Sequence, residues 1–301
     1  MIVCPLQNLN CPHNTFVALG TFDGLHLGHQ AVIRTATTSP DLIPTVLSVI
    51  PPNRRDSLLT DGQRQEILSQ MGIQQFVPAP LEEIRHLTPE EFFEEVLVEK
   101  LHAKQIVCGF NFRFGKNAAG DTQILQALCH RHQIRLTVID AVQYQGQAVS
   151  SSRIRTALKQ GDLALANTLL GRPFSFSGIV SVGQQLGHTL GFPTINLPLP
   201  EDMIVPKKGV YAATVTHHGH TYQGVCNIGR HPTVGSLTAP LAETHILNFD
   251  GDLYCQPVDL QLIHFLREEC RFDSLEQLKA AIADDVAHTR CLFEGESHET
   301  V

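Results

Sequence analysis

The chain has 301 residues, 43% of them hydrophobic and 17% charged, with a formal net charge of −8 at pH 7. That length exceeds what one core supports, so two domains are expected, and the acidic balance excludes a protein that coats nucleic acid through its overall field. No run is long enough to cross a bilayer, and "MIVCPLQNLNCPH" has no basic residue ahead of an apolar stretch; eight cysteines without a CxxC pair point to reduced thiols in a cytoplasm.

The first half alternates between two periods. "FVALG" (16–20) is strand-like and runs into a helical pattern from Gly28. "IPTVLSVI" (43–50) is a strand closing on Pro51-Pro52, "TDGQRQEILSQMG" (60–72) a capped helix, and "QQFVPA" (74–79) a short strand. In "TPEEFFEEVLVEKLHA" (88–103), Thr88 as N-cap, Pro89 at the first helical position and Glu91 three on make a capping box. "QIVCGF" (strand), "DTQILQALCHRHQ" (helix) and "IRLTVID" (strand) follow. Strands separated by helices of this length predict a parallel sheet covered on both faces, with ligands at the carboxyl ends of its strands.

After two short helices in 150–172 the period changes. "FSFSGIVSVG", "VYAATVTHHGHTYQGVCNIG", "ETHILNFDGDLY" and "QPVDLQLIHFL" are β-rich runs joined by Gly and Pro turns, with a hairpin tip in "HHGHTY" (217–222) and a hairpin signal in "DGD" (250–252). A last helix starts at Ser274, with Gln277 three on. Short strands with one terminal helix predict a small antiparallel barrel. The fold class is α/β, a Rossmann-like N-terminal domain (1–156), a helical linker (157–173), the barrel domain (174–295) and a flexible tail (296–301).

"GTFDGLHLGHQ" sets His26 and His29 around Gly28 at a helix start, where free amides and the helix dipole favour an anion. An imidazole donates to a phosphate oxygen whether neutral or charged, and Gly28 leaves room for the phosphate to approach. Alone, such a pair reads as a helix cap; the strand before and the helix after give it the context of a phosphate site. Gly20 and Gly24 let the chain turn, with Phe22 and Asp23 shaping the turn. "GFNFRFGKNAAGD" (109–121), "SSSRIRTAL" (150–158), "LLGRPFSFSG" (169–178) and "GHTLGFPTINLPLP" (187–200) complete an ordered set. "SSSRIR" by itself is an ordinary N-cap with a solvated basic face, and "FPTIN" a Pro-Thr turn in a loop between strands.

Together these motifs resemble the prokaryotic bifunctional riboflavin kinase/FAD synthetases: the HxGH signature of nucleotidylyltransferases, then GxNFxFG, SSTxIR and PTxN segments over nearly the whole chain. The resemblance implies a nucleotidylyltransferase domain and a riboflavin kinase domain, with riboflavin, FMN and ATP as partners and neither nucleic acid nor membrane; self-association stays open. It implies that His26 and His29 hold ATP phosphates, joined by Gly20, Phe22, Gly28, Asn111, Ser151, Ser152, Arg153 and Arg155. It also implies that Thr194 and Asn196 coordinate Mg²⁺, that Gly187 and Lys208 contact nucleotide, and that Glu243 is the base for the 5′-hydroxyl of riboflavin. The chain departs from the pattern at "PPN" (51–53) for PHP, at His188 for Arg, at "NIGRHPT" (227–233), at "SSS" for SST and at Asn248 for Asp. Loss of one activity, a flavin sensor without turnover, or an adenylyltransferase for another phosphate are the competing readings; "GFPTIN" on a β-rich half disfavours the last, and the presence of every catalytic side chain disfavours the sensor.

Overall fold

The structure, a computed structural model, describes residues 1–181, 191–230 and 240–296. Its contacts divide the chain into two compact units, 1–151 and 152–301.

The first unit is built on a six-stranded parallel sheet of β1 (Ile2–Val3), β2 (Thr15–Gly20), β3 (Ile43–Ile50), β4 (Gln75–Pro80), β5 (Ala103–Gly109) and β6 (Arg135–Ile139), ordered β1-β4-β3-β2-β5-β6. Side chains alternate across a strand, so Phe16 and Ala18 of β2 join one core while Val17 and Leu19 join the other. The central strands β2 and β3 are buried on both faces, which is why they read as unbroken apolar runs. Helix α1 (Leu27–Ala36) and α2 (Asp61–Gln70) belong to the first layer; α2 is capped as expected, by a full capping box in which Thr60 accepts from the Gln63 amide.

A short helix, α3 (Leu81–Ile84), precedes α4, which opens at Pro89–Glu91 with the Thr88–Glu91 capping box in place. Over Phe92–Lys100 α4 then widens to π winding, so that the Leu101 amide reaches back five residues to Val96. This differs from the ordinary helix expected there; Phe92, Phe93, Val96 and Leu97 are all buried against the sheet. Helix α5 (Thr122–Arg131) is capped by Asp121. A two-residue ribbon, β7 (Gln143–Tyr144) with β8 (Gln147–Ala148), was not anticipated; its turn residues Gln145 and Gly146 both have positive φ, the signature of a tight hairpin.

In the second unit, α6 (Ser151–Gln160, its first residue still in the first unit) leads to α7 (Leu163–Leu170). Helix α7, within the 157–173 expected as a helical linker, packs on β9 (Phe174–Ile179) and β14 (Pro257–Arg267), with Leu163, Leu169 and Leu170 buried. The Asn167 side chain fastens it there, donating to Leu262 O and accepting from the Phe174 amide. The antiparallel sheet also contains β10 (Thr194–Pro198), β11 (Gly209–His217), β12 (His220–Arg230) and β13 (Pro240–Ile246), ordered β10-β13-β12-β11-β14-β9.

The sheet curls until its edges meet: the Ser181 amide donates to Asn196 O at 2.8 Å, pairing the chain beyond β9 with β10. Leu197, Ala242, Ile228 and Phe176 fill the inside. The hairpin tip falls at His218-Gly219, both with positive φ, as the sequence predicted. "DGD" forms no hairpin, because β13 and β14 are not neighbours; residues 247–256 cross from one to the other, with Asp252 accepting from the Tyr254 amide. The terminal helix α8 (Leu275–Glu296) packs on β11 and β12, and Arg267 of β14 forks onto its Asp285 at 2.9 and 2.7 Å.

Candidate active sites

The strand order of the first sheet reverses between β2 and β5, and a cleft of about 420 Å³ opens where those strands end, at Gly20 and Gly109. The turn after β2 is strained: Phe22 has φ 47°, Gly24 84° and Leu25 44°. A non-glycine residue held there costs about 1–3 kcal/mol, offset here by complete burial of the Phe22 and Leu25 side chains. The Phe22 ring lies on Gly20, where a Cβ would come within 3.0 Å of it, and meets the His29 ring edge-on at 5.3 Å.

His26 is the N-cap of α1. Its Nδ1 accepts from the His29 amide at 3.3 Å, so its proton sits on Nε2. The two imidazoles stack at 3.7 Å, tilted by 18°. Burial, and then the neighbouring His26 and Arg64, hold the His29 pKa well below the ordinary 6.5. His29 therefore enters the cleft as a neutral ring, its Nδ1 buried without a hydrogen-bond partner. Gly28 lines the cleft, and its missing side chain makes room for the His26 ring, which a Cβ would meet at 3.1 Å.

Asn111 lines the same cleft, and so does Ser151, whose Oγ donates to the Asp23 carbonyl at 2.8 Å. Ser152 is exposed, and Arg153 and Arg155 are half-buried; all three continue α6 beyond the last lining residue. Phe110, 49% exposed on the rim, Arg113 and Asp140 also line the cleft and were not singled out from sequence. Their signal is position: each follows the carboxyl end of β5 or β6. The exposed "PPN" (51–53) directly follows β3.

In the second unit Thr194 and Asn196 stand on β10 rather than in a loop, because Thr194–Pro198 pairs residue by residue with β13. Asn196 is paired with Glu243 on β13, and Glu243 in turn with Asn227 on β12. Directly paired residues share a face, so Thr194, Asn196, Glu243 and Asn227 form one polar row. Asn196 is buried, and its Oδ1 has no hydrogen-bond partner. His245, opposite Thr194, meets Pro193 O at 2.8 Å through Nδ1 and holds the start of the strand. Asn227 and His245 escaped the sequence reading because pairing, not spacing, puts them there.

Lys208 is exposed beside Gly209, while Lys207 pairs with Glu268 at 2.7 Å. Asn248 has φ 55°, a left-handed conformation that Asn tolerates well. Gly187, His188 and His231 lie outside the described residues. Among those described, no cluster of three or more His, Cys, Asp or Glu side chains forms a metal site, and no helix is long and apolar enough to cross a membrane.

The FAD synthetase family matches residues 8–153 and the riboflavin kinase family residues 170–293. A bifunctional riboflavin kinase/FMN adenylyltransferase from Pseudomonas fluorescens is 35% identical, covering 99% of each chain. The protein so described from Escherichia coli K12 is 34% identical over 92% of each. A solved structure from Streptococcus pneumoniae, described as a macrolide-efflux protein, superposes with a TM-score of 0.87 at 27% identity, over 96% of this chain and 99% of that one. With both family matches in order and relatives aligned end to end, the chain belongs to the bifunctional riboflavin kinase/FMN adenylyltransferases, and its work is flavin cofactor biosynthesis, converting riboflavin to FMN and FMN to FAD at the expense of ATP.

Proposed function

We propose that the two steps divide between the two sites. In the cleft of the first unit a phosphate oxygen of FMN attacks the α-phosphorus of ATP and pyrophosphate leaves. His26, through Nε2–H, and His29 donate to the triphosphate, and Gly28 and Asn111 lie beside it. The observation that carries this reading is the stacked pair of imidazoles at a helix start, lining a cleft at the reversal of strand order. Arriving negative charge favours the protonated form of His29, so its proton affinity rises as charge builds in the transition state. Gly20 and Phe22 shape the floor. Ser151, Ser152, Arg153 and Arg155 supply phosphate contacts from the start of α6.

On the barrel, Glu243 takes the proton of the riboflavin 5′-hydroxyl as its oxygen attacks the γ-phosphorus of ATP and ADP leaves. Thr194 and Asn196 hold Mg²⁺, and the unpartnered buried Oδ1 of Asn196 is a hard oxygen suited to it. When bound, the ion supplies charge neutralisation at the phosphates. Two protein ligands suffice, because Mg²⁺ keeps waters and substrate oxygens in its shell. Gly187 and Lys208 complete the nucleotide contacts. The functional boundaries are 1–156 and 174–295, joined by 157–173. All eight cysteines are thiols, which supports a reducing compartment, the cytoplasm.

The test is a time course of the purified protein with riboflavin, ATP and Mg²⁺, resolving the three flavins by chromatography. FMN rises first and FAD follows, and chelation of Mg²⁺ stops FMN formation; an undiminished rate in the chelator removes the ion from the reading.

A further inference from the structure

The strained turn that leads into His26 and α1 is tied to distant parts of the first unit's chain. Ser48 Oγ donates to Thr21 O at 2.8 Å, Ser151 Oγ donates to Asp23 O, and the Leu58 amide donates to Asp23 Oδ1 at 3.0 Å. An aspartate in a turn ordinarily satisfies an amide one or two residues on. Asp23 also reaches far along the chain: its carboxylate accepts from an amide 35 residues away, and its carbonyl from a hydroxyl 128 residues away.

The segment it captures, residues 51–58, is the connection after β3 and has no strand or helix of its own. Leu58 is buried against Gly24, where a Cβ would lie 2.7 Å from its Cδ1, so the amide that Asp23 accepts from is held at close quarters. Three segments thus meet on one residue, and one of its partners, Ser151, lines the cleft.

We propose that Asp23 is a positioning residue for adenylyl transfer: its carboxylate locks the 51–58 connection against the histidine-bearing turn and so sets the aim of both imidazoles. The inference rests on the reading of His26 and His29 as phosphate contacts. Asp23 touches no substrate in it; misdirection of the imidazoles is the cost of its loss, and misplacement of catalytic groups by about 1 Å is worth up to about 100-fold.

Asp23→Ala and Asp23→Asn are assayed for both reactions in the full chain, beside His29→Ala. Asp23→Ala is expected to lower kcat for FMN adenylylation about 10- to 100-fold, with a smaller change in KM for ATP and riboflavin phosphorylation unchanged. Asn keeps an oxygen for the Leu58 amide, so Asp23→Asn recovers the rate to within about threefold of the unaltered protein. An Asp23→Ala protein with the original kcat, or an Asn variant as damaged as the Ala variant, overturns the proposal. Should Asp23→Ala not accumulate, Ser48→Ala loosens the same turn and carries the test: an unaltered adenylylation rate there counts against positioning. If His29→Ala itself leaves adenylylation intact, the reading of the histidines has failed, whatever Asp23 does.

Discussion

The cleft of the first unit is made where strands end, while the polar row of the second lies along strands. At strand ends the chain is free to take unusual backbone angles, and the cleft uses that freedom: a turn with three positive φ values aims two rings from one short motif. Along strands the backbone is regular and register decides everything. Asn196, Glu243 and Asn227 are brought together by pairing across β10, β13 and β12. The histidine pair is local in sequence and costly in conformation, and the polar row is distributed and cheap.

That contrast yields separable losses. The largest is expected at the row, where Glu243→Gln lowers riboflavin phosphorylation by about 10²–10⁴ and leaves FMN adenylylation untouched when FMN is supplied. An unchanged FMN-forming rate removes Glu243 from the mechanism. Next comes the cleft. His29→Ala is expected to reduce FMN adenylylation by about 10²–10³ with riboflavin phosphorylation intact, and equal loss of both rates would merge the two sites into one.

The smallest effect is on stability. Because His29 is held below the ordinary 6.5 when folded, the unfolded chain binds its proton more readily. Its contribution is unpenalised above about pH 6.5 and is eroded as pH falls through that value toward the folded pKa. Urea midpoints measured from about pH 7.5 to 5.5 should therefore decline less steeply for His29→Gln than for the original protein, and parallel slopes would show that His29 is not buried as a neutral ring.

What the sequence revealed follows the same division. The ends of β3, the capped helix from Thr60 and the capping box at Thr88 were legible, since hydrophobic period and cap chemistry are local. So was the hairpin at His218-Gly219. The π winding of Phe92–Lys100 was not, because nothing in the apolar pattern separates it from an α-helix. "DGD" misled because a turn signal says where the chain bends and not which strand it rejoins. At the sites, the paired histidines were visible in the motif, but Asp23 looked like a turn residue. Its partners, Leu58 and Ser151, come from distant segments. Asn227 and His245 were hidden for the same reason.

The barrel's closure has a consequence for how its strands come apart. At the seam, among the described residues, β10 meets the chain beyond β9 at the carbonyl of Asn196, which accepts from the amide and the hydroxyl of Ser181. On its other side, the same strand is zipped to β13 over five residues. Thermal fluctuation parts a two-bond stitch more readily than a five-residue zip, so the Ser181 amide should exchange with solvent ahead of the amides that pair β10 with β13.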